Sequence, residues 1–172
     1  MDGTYGGLWR RNGRPPQRLA GVGFSAQGTF SGSYYRRTPE SYDQKYSWMF
    51  DGIEEETLGD FGLCGNGAAG FELDRVDYRL GSPENTVILA SSENHDDSFV
   101  LVPEEHLTHI TNWPGAPKEQ LIRADLAYIE TETGGAIFST GSITFCGSLP
   151  TNDFQNNIST LLDNVFHRFL ID

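Results

Sequence analysis

The closing part of this chain restricts its fold more than any other stretch. Ile122 to Thr131 and Ala136 to Gly141 read as two strands around Glu132-Thr133-Gly134-Gly135, a glycine-turned hairpin. A glycine-bounded stretch, Ser142 to Ser148, leads to Thr151, Asn152 and Asp153, three residue types that cap helices. Beyond them Phe154, Ile158, Leu161, Leu162, Val165, Phe166 and Phe169 fall at helical spacing. That stripe packs the helix onto a sheet, and burial worth about 1.5–3 kcal/mol per side chain makes the element structural. His167 lies beside the stripe near the C-terminal end, where a cation is favoured.

Upstream, the pattern predicts more strand than helix. Residues 1–18 form an irregular arm that crowds four arginines, Arg10, Arg11, Arg14 and Arg18, among glycines and prolines. A basic arm on an acidic protein seeks an acidic surface, in the same assembly or in the chain itself. From Leu19 onward the chain reads as a single α/β domain, residues 19–172, with a first core strand at Leu19 to Ser25. Gly28 to Gly32 reads as a flexible loop. Thr38-Pro39-Glu40 starts a short helix whose apolar face carries Tyr42, Tyr46, Met49 and Phe50. Thr86 to Ser91, a compact apolar run bounded by turn residues, is the best candidate for a parallel strand. Pro103 to His109 reads as a short helix with its proline and acids in the first turn.

The densest chemistry lies in Gly65-Asn66-Gly67-Ala68-Ala69-Gly70-Phe71-Glu72-Leu73-Asp74-Arg75. Glycines here permit positive φ or close approach of another backbone or a ligand. If residues 71–75 are extended, Phe71 and Leu73 share one face while Glu72 and Asp74 share the other, roughly 7 Å apart. Each carboxylate then makes the other harder to ionise, which is how a carboxyl gains a pKa useful for acid/base work. Alternating signs at Asp74, Arg75, Asp77 and Arg79 equally fit a solvated, ion-paired edge. Gly65, Gly67 and Gly70 match a dinucleotide fingerprint by letter, but no amphipathic helix follows before Gly81-Ser82-Pro83. Ser91 to Asp97 follows the end of the apolar strand, so His95 is a second candidate beside the alternative of an exposed loop histidine. His106 and His109 share a helical face without a third ligand fixed by spacing. Tyr34 and Tyr35 point opposite ways in a strand and make a poor metal pair.

A net charge of −12 argues against nucleic acid and against an anionic membrane surface. Cys64 and Cys146 make neither a disulfide framework nor a zinc site, and their small or apolar neighbours predict buried free thiols. No apolar run resembles a signal peptide or a membrane span, so the chain reads as soluble and cytoplasmic.

Gly7-Leu8-Trp9-Arg10, Arg14-Pro15-Pro16, Gly21-Val22-Gly23-Phe24, Ser33 to Arg37, Gly67 to Arg75 and Gly134 to Gly147 occur in an order that resembles the C-terminal part of the large (beta) subunit of the N,N-dimethylformamidase family. The terminal hairpin and helix also resemble the end of a glutamine-amidotransferase-like open α/β sheet, without a nucleophile cysteine. The resemblance implies an amide hydrolase that cleaves N-substituted formamides to formate and amine. It implies a non-redox iron held by two tyrosines and a glutamate, with ligands outside this chain, polarising the amide and activating water. It further implies an oligomer in which the remainder of the large subunit and a small subunit are partners, and a chain that is not active alone. Under this resemblance Glu72 is the general-base or supporting carboxylate. Asp74 and Arg75 brace the loop as an ion pair, and Asn66, Gly67, Asp74 and His95 line the substrate pocket. The alternative is a non-catalytic assembly module.

Overall fold

The hairpin forms where the sequence predicts it: β7 (Asp125–Glu130) pairs antiparallel with β8 (Ala136–Ser139), and Gly134 takes φ +90° in the turn. The computed structural model describes residues 9–103 and 118–171. His106 and His109, and the helix expected around them, lie outside the described residues.

Five strands make the larger sheet, in the order β3 (Thr57–Leu58), β2 (Tyr35–Arg37), β5 (Val87–Ser92), β7, β8. Three make the smaller one, in the order β4 (Ala69–Val76), β1 (Val22–Ser33), β6 (Val100–Leu101). The chain is thus a mixture of sheet and helix, and every pairing between these strands is antiparallel. That corrects the parallel strand expected at 86–91. β5 pairs antiparallel with β2 on one side and β7 on the other. Its apolar run reflects burial on two faces, with Leu89 in the main core and Ile88 against Val22, Val76 and Ala127. Double-sided burial is silent on strand direction.

The chain passes from one sheet to the other between β1 and β2 with only Tyr34 between them. β1 begins later than expected, because Gln17–Ala20 forms a helical turn, α1, that ends at Gly21 with φ +77°. It also runs through the expected loop at 28–32, with a register irregularity between Gln27 and Gly32. Gly28 fits there because a Cβ would stand 2.7 Å from the Phe99 ring. The helix expected after Pro39 is two 3-10 turns, Pro39–Tyr42 and Ser47–Phe50, of which Met49 and Phe50 enter the core. Tyr42 stays exposed, with the Arg37 guanidinium 4.0 Å from its ring centre.

Two further helical turns, α2 (Lys118–Leu121) and α3 (Phe145–Ser148), precede the closing helix α4 (Asn157–Ile171). Its cap is Asn156, whose Oδ1 accepts from Ser159 N at 2.9 Å, several residues beyond the expected capping cluster. Phe154 falls outside the helix, exposed and left-handed at φ +65°. Ile158, Leu161 and Val165 are buried as the stripe requires, whereas Phe166 and Phe169 face outward. Asn164 Nδ2 donates to Met49 O at 3.0 Å and to Asp51 O at 2.9 Å, tying α4 to the second 3-10 turn. Cys64 and Cys146 are both exposed, contrary to the expected buried thiols, because each lies on a tight turn at the rim of the core.

Candidate active site

The glycine stretch is fixed first by backbone contact. Gly32 N donates to Gly65 O at 2.9 Å, and Ala68 N donates to Gly59 O at 2.8 Å. A Cβ on Gly67 would meet Ser33 O at 2.3 Å, and one on Gly70 would meet Ser31 O at 2.7 Å. The chain's own backbone therefore occupies the space that these glycines leave open. Gly70 lies within strand β4 rather than before a helix, so the dinucleotide reading has no structural counterpart here. Ser142 closes the arrangement, accepting from Gly70 N at 2.8 Å and donating to Gly70 O at 2.9 Å.

Regular extension starts at Glu72. Phe71 takes φ +60°, a conformation costly for a bulky residue, and Asn66 takes φ +58° at the other end of the loop. Beyond Phe71 the alternation is as expected: Leu73 and Arg75 are buried while Glu72 and Asp74 are partly exposed. Across β1, Glu72 faces Gln27 and Asp74 faces Phe24. Asp74 N donates to Gly141 O at 2.7 Å, and Gly141 has no room for a Cβ, which would lie 2.8 Å from Asp74 O. The carboxylates are thus carried on a strand clamped on both sides.

The electrostatics distinguish the two acids. Burial, then the charge of Glu72, raises Asp74 from an ordinary value near 3.8 to about 6, and the Arg10 guanidinium opposes that rise. Arg10 reaches this face from the 3-10 turn Trp9–Asn12, donating from Nη2 to Phe24 O at 2.5 Å. Arg10 is the residue that sequence reasoning left unassigned. Its signal was the crowding of arginines in the arm, one of which turns inward to the chain's own acids.

Arg75 donates from Nη1 to Asp77 Oδ2 at 3.0 Å, both side chains being buried, and Arg79 reaches the same Oδ2 at 3.0 Å. The brace beside the loop therefore centres on Asp77, where the sequence reading placed Asp74. Burial alone would raise the Asp77 carboxyl, but the Arg79 hydrogen bonds and the two guanidinium charges outweigh it and hold it below its usual value. Asn66 is exposed and precedes the carboxylate strand. His95 is anchored through the larger sheet: Ser92 Oγ and His95 Nε2 are 2.7 Å apart, and the His95 ring lies 4.6 Å from that of Phe99. Depressions lined by described residues include those around Tyr128 and Arg168, around Leu162 and Phe166, and at Gly52 to Glu55. Glu72 lines none of these three.

The described residues do not fit the expected iron. Among them no three His, Cys, Asp or Glu side chains converge as a ligand group. Tyr35 is fully buried and donates to Thr140 O at 2.7 Å, while Tyr34 turns the other way and donates to Glu93 Oε1 at 2.9 Å. Neither phenol is placed to share a metal with the other. The site as it stands can hold a proton on Asp74 up to about pH 6, beside the second carboxylate of Glu72, and both side chains are partly exposed.

Comparison with known proteins adds the family. Residues 1–157 match the family described as N,N-dimethylformamidase beta subunit-like, C-terminal. The N,N-dimethylformamidase beta subunit of Alcaligenes sp is 39% identical over 172 residues, covering 99% of this chain and 22% of that protein. The beta subunit of the same name from Paracoccus aminophilus matches with the same identity and the same coverage. The chain thus spans about a fifth of the length of the curated relatives it matches.

Proposed function

This chain belongs to the N,N-dimethylformamidase beta subunit-like C-terminal family, and from that premise we propose that it forms the C-terminal region of an amide hydrolase's large subunit. The reaction proposed is hydrolysis of an N-substituted formamide, in which water adds across the C–N bond to give formate and the free amine. The single observation that supports a part for this chain is the carboxyl pair on β4, with Asp74 lifted to about 6 by burial and by Glu72. Glu72, partly exposed like Asp74, is the carboxylate proposed to face a cavity shared with the remaining polypeptide. It orients water or accepts its proton, and Asp74 shares that proton. Asn66, Gly67 and His95 enter as weaker contributors to the pocket wall.

The finer parts of the proposal concern what lies outside this chain. The iron and its tyrosine and glutamate ligands belong to other polypeptide, and no step above runs through them. The remainder of the large subunit, a small subunit and an oligomeric, cytoplasmic setting complete the assembly. The two antiparallel sheets and α4 would close a glutamine-amidotransferase-like domain formed with that remainder. No helix of the described residues is long and apolar enough to cross a membrane.

The test is Glu72→Gln and Asp74→Asn in the complete assembly, with formate release from dimethylformamide as the readout. Loss of an acid/base carboxylate is expected to lower kcat by about 10²–10⁴-fold for Glu72→Gln. Unchanged turnover would instead favour a second reading, a non-catalytic assembly module. The observation behind that reading is the outward side of α4, where Phe166, Phe169, Leu170 and Ile171 are exposed.

A further inference from the structure

The turn at Trp9–Asn12 is closed by its own backbone: Gly13 N donates to Arg10 O and Arg14 N to Trp9 O, both at 3.1 Å. From this turn the partly buried Arg10 side chain runs to β1 and donates to Phe24 O at 2.5 Å. Gln17, fully buried on α1, lands on the preceding residue of β1: a Cβ on Gly23 would stand 2.6 Å from its Nε2 and its Oε1. Gly23 and Phe24 are the register partners of Arg75 and Asp74. Two side chains of the arm are thus laid on the β1 residues that pair with the carboxylate strand. A hydrogen bond to a neutral carbonyl fixes the Arg10 guanidinium without cancelling its charge. That charge reaches Asp74, where it opposes burial and Glu72. The other elements around Asp74 bring no competing cation to this face. Phe24 and Gln27 on β1 and Gly141 on the other side are uncharged, and burial keeps the Tyr35 phenol of β2 neutral. Arg75 is turned to Asp77, and Asp125 of β7 is engaged by Val76 N, Ser91 and Arg123.

We propose that Arg10 is a positioning residue for the carboxyl pair: pinned on Phe24 O, opposite Asp74 in the register, it sets how readily Asp74 releases its proton. Arg10 acts through Asp74 rather than on substrate. Without a fixed cation on this face, burial and the Glu72 charge would keep Asp74 protonated to higher pH. With it, the proton leaves the Asp74 carboxyl for water at a pH closer to that of an ordinary carboxylic acid. The same residue gives the basic arm a task inside the chain, since one of its arginines is spent on the chain's own acids. The electrostatic role of Arg10 stands on the geometry alone, whereas its consequence for turnover rests on the amide-hydrolase reading.

The experiment follows the Asp74 carboxyl carbon by NMR in the full chain as pH is raised from about 4 to 8, with Asp74→Asn identifying its signal. Wild type is compared with Arg10→Gln, Arg10→Lys and Arg11→Gln. Expected is a titration midpoint higher by roughly half a pH unit or more in Arg10→Gln. Arg10→Lys keeps the charge, and Arg11→Gln removes one from an exposed position of the same turn, so both should titrate as wild type does. Arg10→Met keeps the packed stem of the side chain and carries the same expectation as Arg10→Gln, should the amide disturb the turn. A merely structural brace predicts the opposite sign, because release of the turn would hydrate Asp74 and lower its midpoint. A lowered or unchanged midpoint on loss of the Arg10 charge would overturn the proposal, as would an equal rise in Arg11→Gln. In the complete assembly, the pH profile of kcat for formate release should move with the midpoint. A midpoint that moves while the profile stays put would uphold the part of Arg10 and overturn that of Asp74 in amide hydrolysis.

Discussion

Asp74 offers the sharpest test of the electrostatic argument, because it couples the candidate site to stability. Its folded carboxyl binds a proton more tightly than an ordinary aspartate, about 6 against 3.8. Below the lower value both folded and unfolded chains are protonated, and the folded state bears no cost. Between the two values the unfolded chain releases its proton while the folded chain keeps it, so stability falls by about 1.4 kcal/mol for each pH unit. Above about pH 6 the full difference, about 3 kcal/mol, is lost. Asp74→Asn keeps the shape of the neutral acid and cannot ionise. It is expected to leave stability unchanged near pH 4 and to raise it by about 1–3 kcal/mol at pH 7.5. Urea denaturation of both chains at half-unit pH steps from 4 to 8 measures this, and the difference between the curves cancels other titrating groups. Parallel curves, or a variant less stable at pH 7.5 than wild type, would refute the claim that burial and Glu72 hold the proton on Asp74.

Other positions are expected to respond as their surroundings dictate. Gly67→Ala places a Cβ 2.3 Å from Ser33 O and is expected to cost about 3 kcal/mol or more, whereas Gly134→Ala meets open space and costs about 1 kcal/mol for its φ of +90°. Chemical denaturation of the two variants side by side checks the contrast. Arg75→Met leaves Asp77 buried without its buried guanidinium partner and is expected to cost about 3–5 kcal/mol, measured in the same way. Asn156→Ala removes the acceptor for Ser159 N and is expected to lower stability by about 1 kcal/mol, with loss of helical signal preceding the main thermal transition.

What the sequence made legible is what depends on near neighbours. The β7–β8 hairpin needs only its turn and its alternation, and the inner stripe of α4 needs only its period. Placing Glu72 and Asp74 on one face of a strand needs only the twofold repeat. Strand direction at β5 was not legible, because a run buried on both faces looks the same in either direction. Nor was the glycine count in the site loop, which answers to Gly32 and Ser33 on a distant strand rather than to a ligand. The choice between the two acids also depended on distance in sequence. Asp74 is singled out by its burial, while the charges of Glu72 and Arg10 adjust it in opposite directions.

The helix that closes the core is made after the strands it covers. Asn164 seals the 3-10 turn at Met49 and Asp51, Asn157 accepts from Gly59 N and donates to Thr57 O, and Ile158, Leu161 and Val165 fill the cluster around Tyr35 and Leu58. While the chain is being synthesised, β2 and β3 therefore wait, with their apolar side chains uncovered, for residues that leave the ribosome much later. Covering these strands depends on contacts between residues far apart in sequence. A ribosome stalled before residue 157 would hold out a sticky intermediate rather than half of a native structure.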